Sequence, residues 1–127
     1  DTIGVGVPRQ VQETFTALQA VAGDVPMRAH FHDTRNTGIA NAYASLLAGV
    51  STLDASIGGI GGCPFAPNAS GNIATEDLLY LLNRCEVDHD LAMPALLEAA
   101  GWLEEALGKT LPSMLHKAGD WPSGLSS

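Results

Sequence analysis

Cysteine, positive charge and aromatic side chains are all scarce in this chain. Its 127 residues hold two cysteines, six lysines or arginines and 6% aromatics. Two cysteines cannot make a disulfide framework, so a reducing compartment is the expected setting. Fourteen acids against six basic residues give a net charge of −8. That argues against DNA or RNA as a partner, because phosphate backbones are held by clustered cations. Long apolar runs are absent too. Gly, Asn or Glu interrupts each one well short of the ~20 residues that span a bilayer, and no membrane partner is expected. The glycines are not followed by Lys-Ser or Lys-Thr, so they do not form a nucleotide-type phosphate loop. The chain opens on Asp1 rather than Met and reads as if cut from something longer, with no targeting segment in view.

Glycine and alanine are plentiful, and 46% of the residues are hydrophobic. That is enough for one domain with a real core. The most distinctive segment is Gly58-Gly59-Ile60-Gly61-Gly62-Cys63-Pro64-Phe65-Ala66-Pro67. It has almost no side chain to bury. It reads as a loop bringing backbone and one thiol close to a ligand.

Pro8 suits the first turn of a helix that carries Val11, Phe15 and Leu18 and stops at Gly23. Met27 to His32 reads as a short strand. Asn36 or Thr37 can cap a second helix through Ile39, Tyr43 and Leu46, closed by Gly49. Ser51 to Ser56 reads as a second strand with Leu53 and Ala55 on one face. Thr75-Glu76-Asp77 opens a third helix with acids where the helix dipole favours them. Asp90 is expected to cap a fourth helix reaching Leu107, with Pro94 tolerated because it is early. Asp1 to Gly4 looks like the tip of a further strand, and residues 108–127 read as an irregular tail. Strand and helix alternate, which predicts βα units and a parallel sheet. Two strands cannot make a stable sheet covered on both faces, and a (β/α)8 barrel takes about 250 residues. The fold expected is therefore α/β: the C-terminal portion of a (β/α)8 TIM barrel, about two and a half βα units, with residues 1–107 in the barrel.

His30 and His32 are two apart on a strand, so both imidazoles point to one face and Phe31 to the other. Two imidazoles side by side suit a shared divalent metal; a hydrogen-bonded structural pair is the alternative. Asp33 follows at the strand's carboxyl end, where barrel enzymes work. It can fix an imidazole's tautomer or cap a turn. Asn72 is by residue type a cap or turn residue, although its carbonyl oxygen can join two imidazoles on a metal. Cys63 is either a small buried hydrophobe or a reactive thiol. Cys85 reads as structural, and His89 and His116 as surface residues.

Taken together, these motifs resemble the 3-hydroxy-3-methylglutaryl-CoA (HMG-CoA) lyase family, within a wider group of metal-dependent barrels acting on acyl-CoA and 2-oxo acids. The likeness is carried by Asp1-Thr2-Ile3-Gly4-Val5-Gly6, His30-Phe31-His32-Asp33-Thr34, Leu53-Asp54-Ala55-Ser56, Gly61-Gly62-Cys63-Pro64-Phe65-Ala66 and Ser70-Gly71-Asn72-Ile73-Ala74-Thr75-Glu76-Asp77. The resemblance implies that His30, His32 and Asn72 hold Mg2+ or Mn2+. It also implies that Cys63 is the loop cysteine required for catalysis, that Asp1 matches a catalytically important aspartate, and that His30 shuttles a proton. The implied reaction cleaves a 3-hydroxyacyl-CoA thioester to acetyl-CoA and a 3-oxo acid. The implied setting is the cytoplasm of a bacterium or the mitochondrial matrix of a eukaryote, with a homo-oligomer when the barrel is complete.

Two departures stand out. Ile57-Gly58-Gly59 replaces the family's usual Val-Ala-Gly, which loosens the choice of acyl group. The family's Arg-Asp pair on the first barrel strand is not in this chain, so the 127 residues are expected to be inactive and poorly folded without the other barrel half. Two rival readings remain: an acetyl-CoA-dependent synthase condensing a 2-oxo acid, of the isopropylmalate or homocitrate type, and a non-catalytic half-barrel.

Overall fold

The computed structural model describes residues 1–62 and 71–122. In chain order the elements are α1 (Pro8–Ala22), β1 (Arg28–His30), α2 (Gly38–Leu47), β2 (Thr52–Asp54), a 3-10 turn (Ile57–Gly59), α3 (Thr75–Arg84), α4 (Met93–Leu107) and α5 (Leu115–Ala118). β1 and β2 lie parallel, with Ala29 opposite Leu53 and His30 opposite Asp54. Parallel neighbours need a crossover, and α2 supplies it.

Alternation along the two strands separates the layers. Ala29 and Phe31 are buried with Val11, Ala42, Ala44, Val50, Ile73 and Leu78, and Leu53 and Ala55 pack against that cluster. Arg28 and His30 point the other way and are exposed. The helices thus cover one face of the sheet, and the other face is the wall of a barrel left open. A second cluster, Leu79, Met93 and Leu115, joins α3, α4 and α5.

Both strands are shorter than their sequence patterns, because beyond His30 and Asp54 the chain pairs with a different segment. His32 forms an antiparallel bridge with Asn72, and Ser56 a parallel bridge with Ala74. Residues 71–74 therefore lie against the carboxyl ends of both strands and draw them out of the regular ladder. Asp1 to Gly4 is a turn, not a strand tip: Gly4 has φ +60° and its N–H donates to Asp1 O.

α1 begins as expected, with Pro8 in its first turn and Gly23 at φ +60° after its last. α4 starts at Met93 with Ala92 as N-cap, so Asp90 is not its cap; Pro94 falls in its first turn, where a missing N–H costs nothing. In the stretch read as irregular, Leu115–Ala118 is helical and Leu111, Ser113 and Leu115 are buried.

That packing depends on Asp77. Its carboxylate accepts hydrogen bonds from Ser113 Oγ, Met114 N and Leu115 N at 3.1, 3.0 and 2.6 Å. Glu104 adds an acceptor for Leu111 N at 2.8 Å. His116 packs against the same Glu104, with Nε2 3.8 Å from its carboxylate, and is mostly covered; it is not the surface residue its sequence context suggested. His89 is partly covered too and pairs with Asn83 at 2.7 Å. Cys85 is exposed at the end of α3, so it does not serve as a packed small hydrophobe.

Candidate active site

The site grows from the carboxyl end of β1. His30 and His32 extend from the face turned away from the helices, and their rings meet edge to face with centroids 4.9 Å apart. Asn72 joins them through backbone pairing. Ile73 N donates to Phe31 O and Asp33 N to Gly71 O, each at 3.4 Å. These two bonds flank the His32–Asn72 pair, which is therefore the non-hydrogen-bonded kind, in which side chains on one face come closest.

His32 is buried at 7% exposure, and its Nδ1 lies 2.9 Å from Asp1 O. A carbonyl oxygen can only accept, so Nδ1 carries the proton and Nε2 keeps its lone pair. Burial lowers the His32 pKa below the ordinary value, and the Asp1 ammonium lowers it further. A neutral ring with one nitrogen fixed as donor is the state a metal ligand needs. His30 is about half exposed, with Nδ1 3.7 Å from Asp54, the residue opposite it in the strand register.

Asn72 Nδ2 donates to Ile60 O at 3.0 Å. This leaves its amide oxygen without a hydrogen bond among the described residues. Two imidazoles and an amide oxygen form a donor set that suits a divalent ion of mixed nitrogen and oxygen preference. No group of three His, Cys, Asp or Glu side chains converges among the described residues. The third donor available here is an amide, and it comes from the Asn72 segment.

Asp1 lies beside His32, at the turn that leads into α1. Its carboxylate accepts from Val5 N at 3.0 Å and Gly6 N at 2.8 Å, so it organises the turn before α1. Its backbone carbonyl, not its side chain, meets His32. The turn is tied down from the start of α2. Arg35 donates to Ile3 O and Gly4 O, and Thr37 and Asn41 both donate to Gly6 O. Asp33 serves as a cap: its Oδ1 accepts from Gly38 N at 2.9 Å, in the first turn of α2. Cys63 lies outside the described residues.

Four residues here had no individual site role in the sequence reading. Asp54 faces His30 from β2, a position given by alternation once register is known. Ser56 donates its hydroxyl to Ile60 O at 2.6 Å. Glu76 and Asp77 read as acids placed for the helix dipole. Glu76 is instead fully buried and accepts Gly58 N with both oxygens, at 3.0 and 3.1 Å. Two acids in a first turn gave no sign of which amides they would reach.

A short parallel sheet with helices on one face, and polar side chains gathered at its carboxyl end, defines part of a (β/α)8 barrel with a barrel-type site. The chain belongs to the HMGL-like family, whose profile matches residues 1–102. It is 47% identical over 119 residues to an (R)-citramalyl-CoA lyase from Chloroflexus aurantiacus, covering 94% of this chain and 38% of that protein. It is 46% identical to a hydroxymethylglutaryl-CoA lyase from Bacillus subtilis, covering 89% of this chain and 38% of that one. Among solved structures it is similar to an HMG-CoA lyase from A. baumannii in complex with coenzyme A and 3-methylmalate. That match has a TM-score of 0.91 and 37% identity, over all of this chain and 41% of the other. The chain thus spans about two fifths of the length of the relatives it matches.

Proposed function

We propose that the protein containing this chain is a divalent-metal-dependent carbon–carbon lyase. It cleaves HMG-CoA or a related branched 3-hydroxyacyl-CoA to acetyl-CoA and a 3-oxo acid. The observation that carries this reading is the His30–His32 ring pair at the carboxyl end of a parallel strand, with Asn72 bridged through its backbone to His32. The names of the relatives support the reaction class. They leave the acyl group open, since citramalyl-CoA and HMG-CoA lyases are matched about equally well.

In this reading His32 Nε2, His30 and the Asn72 amide oxygen hold Mg2+ or Mn2+. When bound, the ion supplies Lewis-acid stabilisation of oxyanion charge. The side chains do the rest. His30, about half exposed, is the proposed acceptor of the proton of the substrate's 3-hydroxyl; a neutral imidazole has one lone pair, so the ring would take that proton only while the pair is not held by the ion. The C2–C3 electron pair then passes to the thioester side, which leaves as the enolate of acetyl-CoA, while C3 becomes the carbonyl of the 3-oxo acid. A proton returned to C2 completes acetyl-CoA, and Cys63 is its proposed donor. Asp1 acts through its backbone, holding His32 in one tautomer. The complete protein also supplies the remaining barrel strands and an arginine-aspartate pair, and it assembles as a homo-oligomer in the cytoplasm or mitochondrial matrix.

The test is metal binding together with turnover in the full-length protein. Asn72→Ala and His32→Ala should each lose most Mn2+ binding and most HMG-CoA cleavage. Wild-type Mn2+ affinity in Asn72→Ala refutes the metal assignment. A Cys63→Ser variant with undiminished cleavage removes the thiol from the mechanism. The isolated 127-residue chain should show no turnover.

A further inference from the structure

Building on that metal-site reading, we propose that Ser56 is a positioning residue that sets the rotation of the Asn72 amide. Ile60 O receives two donors: Ser56 Oγ at 2.6 Å and Asn72 Nδ2 at 3.0 Å. A carbonyl oxygen has two lone pairs, and both are used here. With its nitrogen on Ile60, the amide offers its oxygen as the free end. Turned over, it would present N–H donors, which repel a cation. The hydroxyl of Ser56 holds the carbonyl in the direction that makes one amide orientation better than the other.

The backbone around this contact is built to keep it in place. Ser56 N donates to Ile73 O at 3.1 Å, and Ser56 O accepts from Thr75 N at 2.9 Å and from Gly59 N at 3.0 Å. Ser56 is therefore fastened to the segment that carries Asn72 and to the turn that carries Ile60. The turn has φ +70° at Gly58 and +69° at Gly59, a region where glycine carries no steric cost. Its central amide, Gly58 N–H, is held by the buried Glu76 carboxylate. Gly61 closes the other side: it has φ +121°, and a Cβ there would lie 2.6 Å from Asn72 Nδ2. Asn72 thus has room for its amide nitrogen in one place, between Ile60 O and a residue without a side chain.

The experiment titrates Mn2+ alone into the metal-free full-length protein and follows it by calorimetry. Ser56→Ala should weaken Mn2+ binding about tenfold, the usual scale for losing a partner that orients a metal ligand. Ser56→Thr keeps the hydroxyl and should recover most of the affinity. If Ser56→Ala binds Mn2+ like wild type while Asn72→Ala does not, Ser56 has no positioning role and the metal site stands. If Asn72→Ala also binds like wild type, the metal-site reading itself fails. A purely structural Ser56 would lower the metal-free Tm and leave the Mn2+ Kd unchanged. Should Ser56→Ala fail to fold, Gly61→Ala crowds the same amide from the opposite side. It should weaken Mn2+ binding too, and wild-type affinity there overturns the proposal.

Discussion

The two faces of the β1–β2 sheet are made by alternate residues of the same short strands, yet they differ in nearly everything else. On one face Ala29 and Phe31 are 3% and 4% exposed, packed beneath α1 and α2. On the other, Arg28, His30 and Asp54 form a loose polar row, with Asp54 3.7 Å from both Arg28 and His30. The first face holds the fold together. The second is expected to add little to stability and carries the residues of the proposed site. A strand's period of two makes this division possible, since each residue serves only one side. Between the faces sits the 71–74 segment, which contributes Ile73 to the core and Asn72 to the site.

Substitutions on the covered face should have the largest effect. Phe31→Ala removes a buried aromatic side chain and should cost about 3–5 kcal/mol in urea unfolding. A loss near that expected on the open face would show that α1 and α2 do not form the main core. Glu76→Ala comes next. It strips the Gly58 N–H of its buried acceptor and should cost about 1–3 kcal/mol. Glu76→Gln keeps an acceptor and should recover part of that loss, which separates hydrogen bonding from packing.

The pH dependence of stability gives a smaller and more specific signal. Burial and the nearby Asp1 ammonium lower the pKa of folded His32; if residues precede Asp1, burial acts alone. Between that lowered value and the ordinary one, about 6.5, the unfolded chain binds the extra proton and the folded chain does not. Stability therefore rises with pH in that window. The contribution is complete above the ordinary value and is lost as pH falls through the window. His32→Gln should flatten this part of the profile in pH-dependent urea titrations, and an unchanged slope would mean that His32 is not protected from protonation. The smallest effect belongs to Asp54→Asn on the open face. Its contacts with Arg28 and His30 are exposed and long, so stability should change by less than about 1 kcal/mol and the difference should fade in high salt. A larger loss would mean that the open row helps to hold the sheet.

Much of this site could be read from residue order. The His-x-His spacing put two rings on one face, and the structure sets them 4.9 Å apart. Pro8 and Gly23 marked both ends of α1. Asp33 was readable as a cap, and it is one. Less legible was anything that depends on which distant backbone amide a side chain reaches. Glu76 and Asp77 are adjacent in the first turn of α3, yet one holds the base of the glycine loop and the other holds Ser113 to Leu115.

Local periodicity and turn chemistry, both short-range, determined from sequence alone that this is a βα-type chain with imidazoles at a strand end and a glycine-rich segment after the second strand. Tertiary structure decided how the remaining parts were used. It ended the strands early by bridging His32 and Ser56 to the 71–74 segment. It turned the Asp1 carboxylate inward to its own turn and made the C-terminal stretch part of the core. Each of these outcomes depends on hydrogen bonds between residues far apart in the chain. Such a bond is worth little until packing excludes water around it, so it leaves no mark on local sequence.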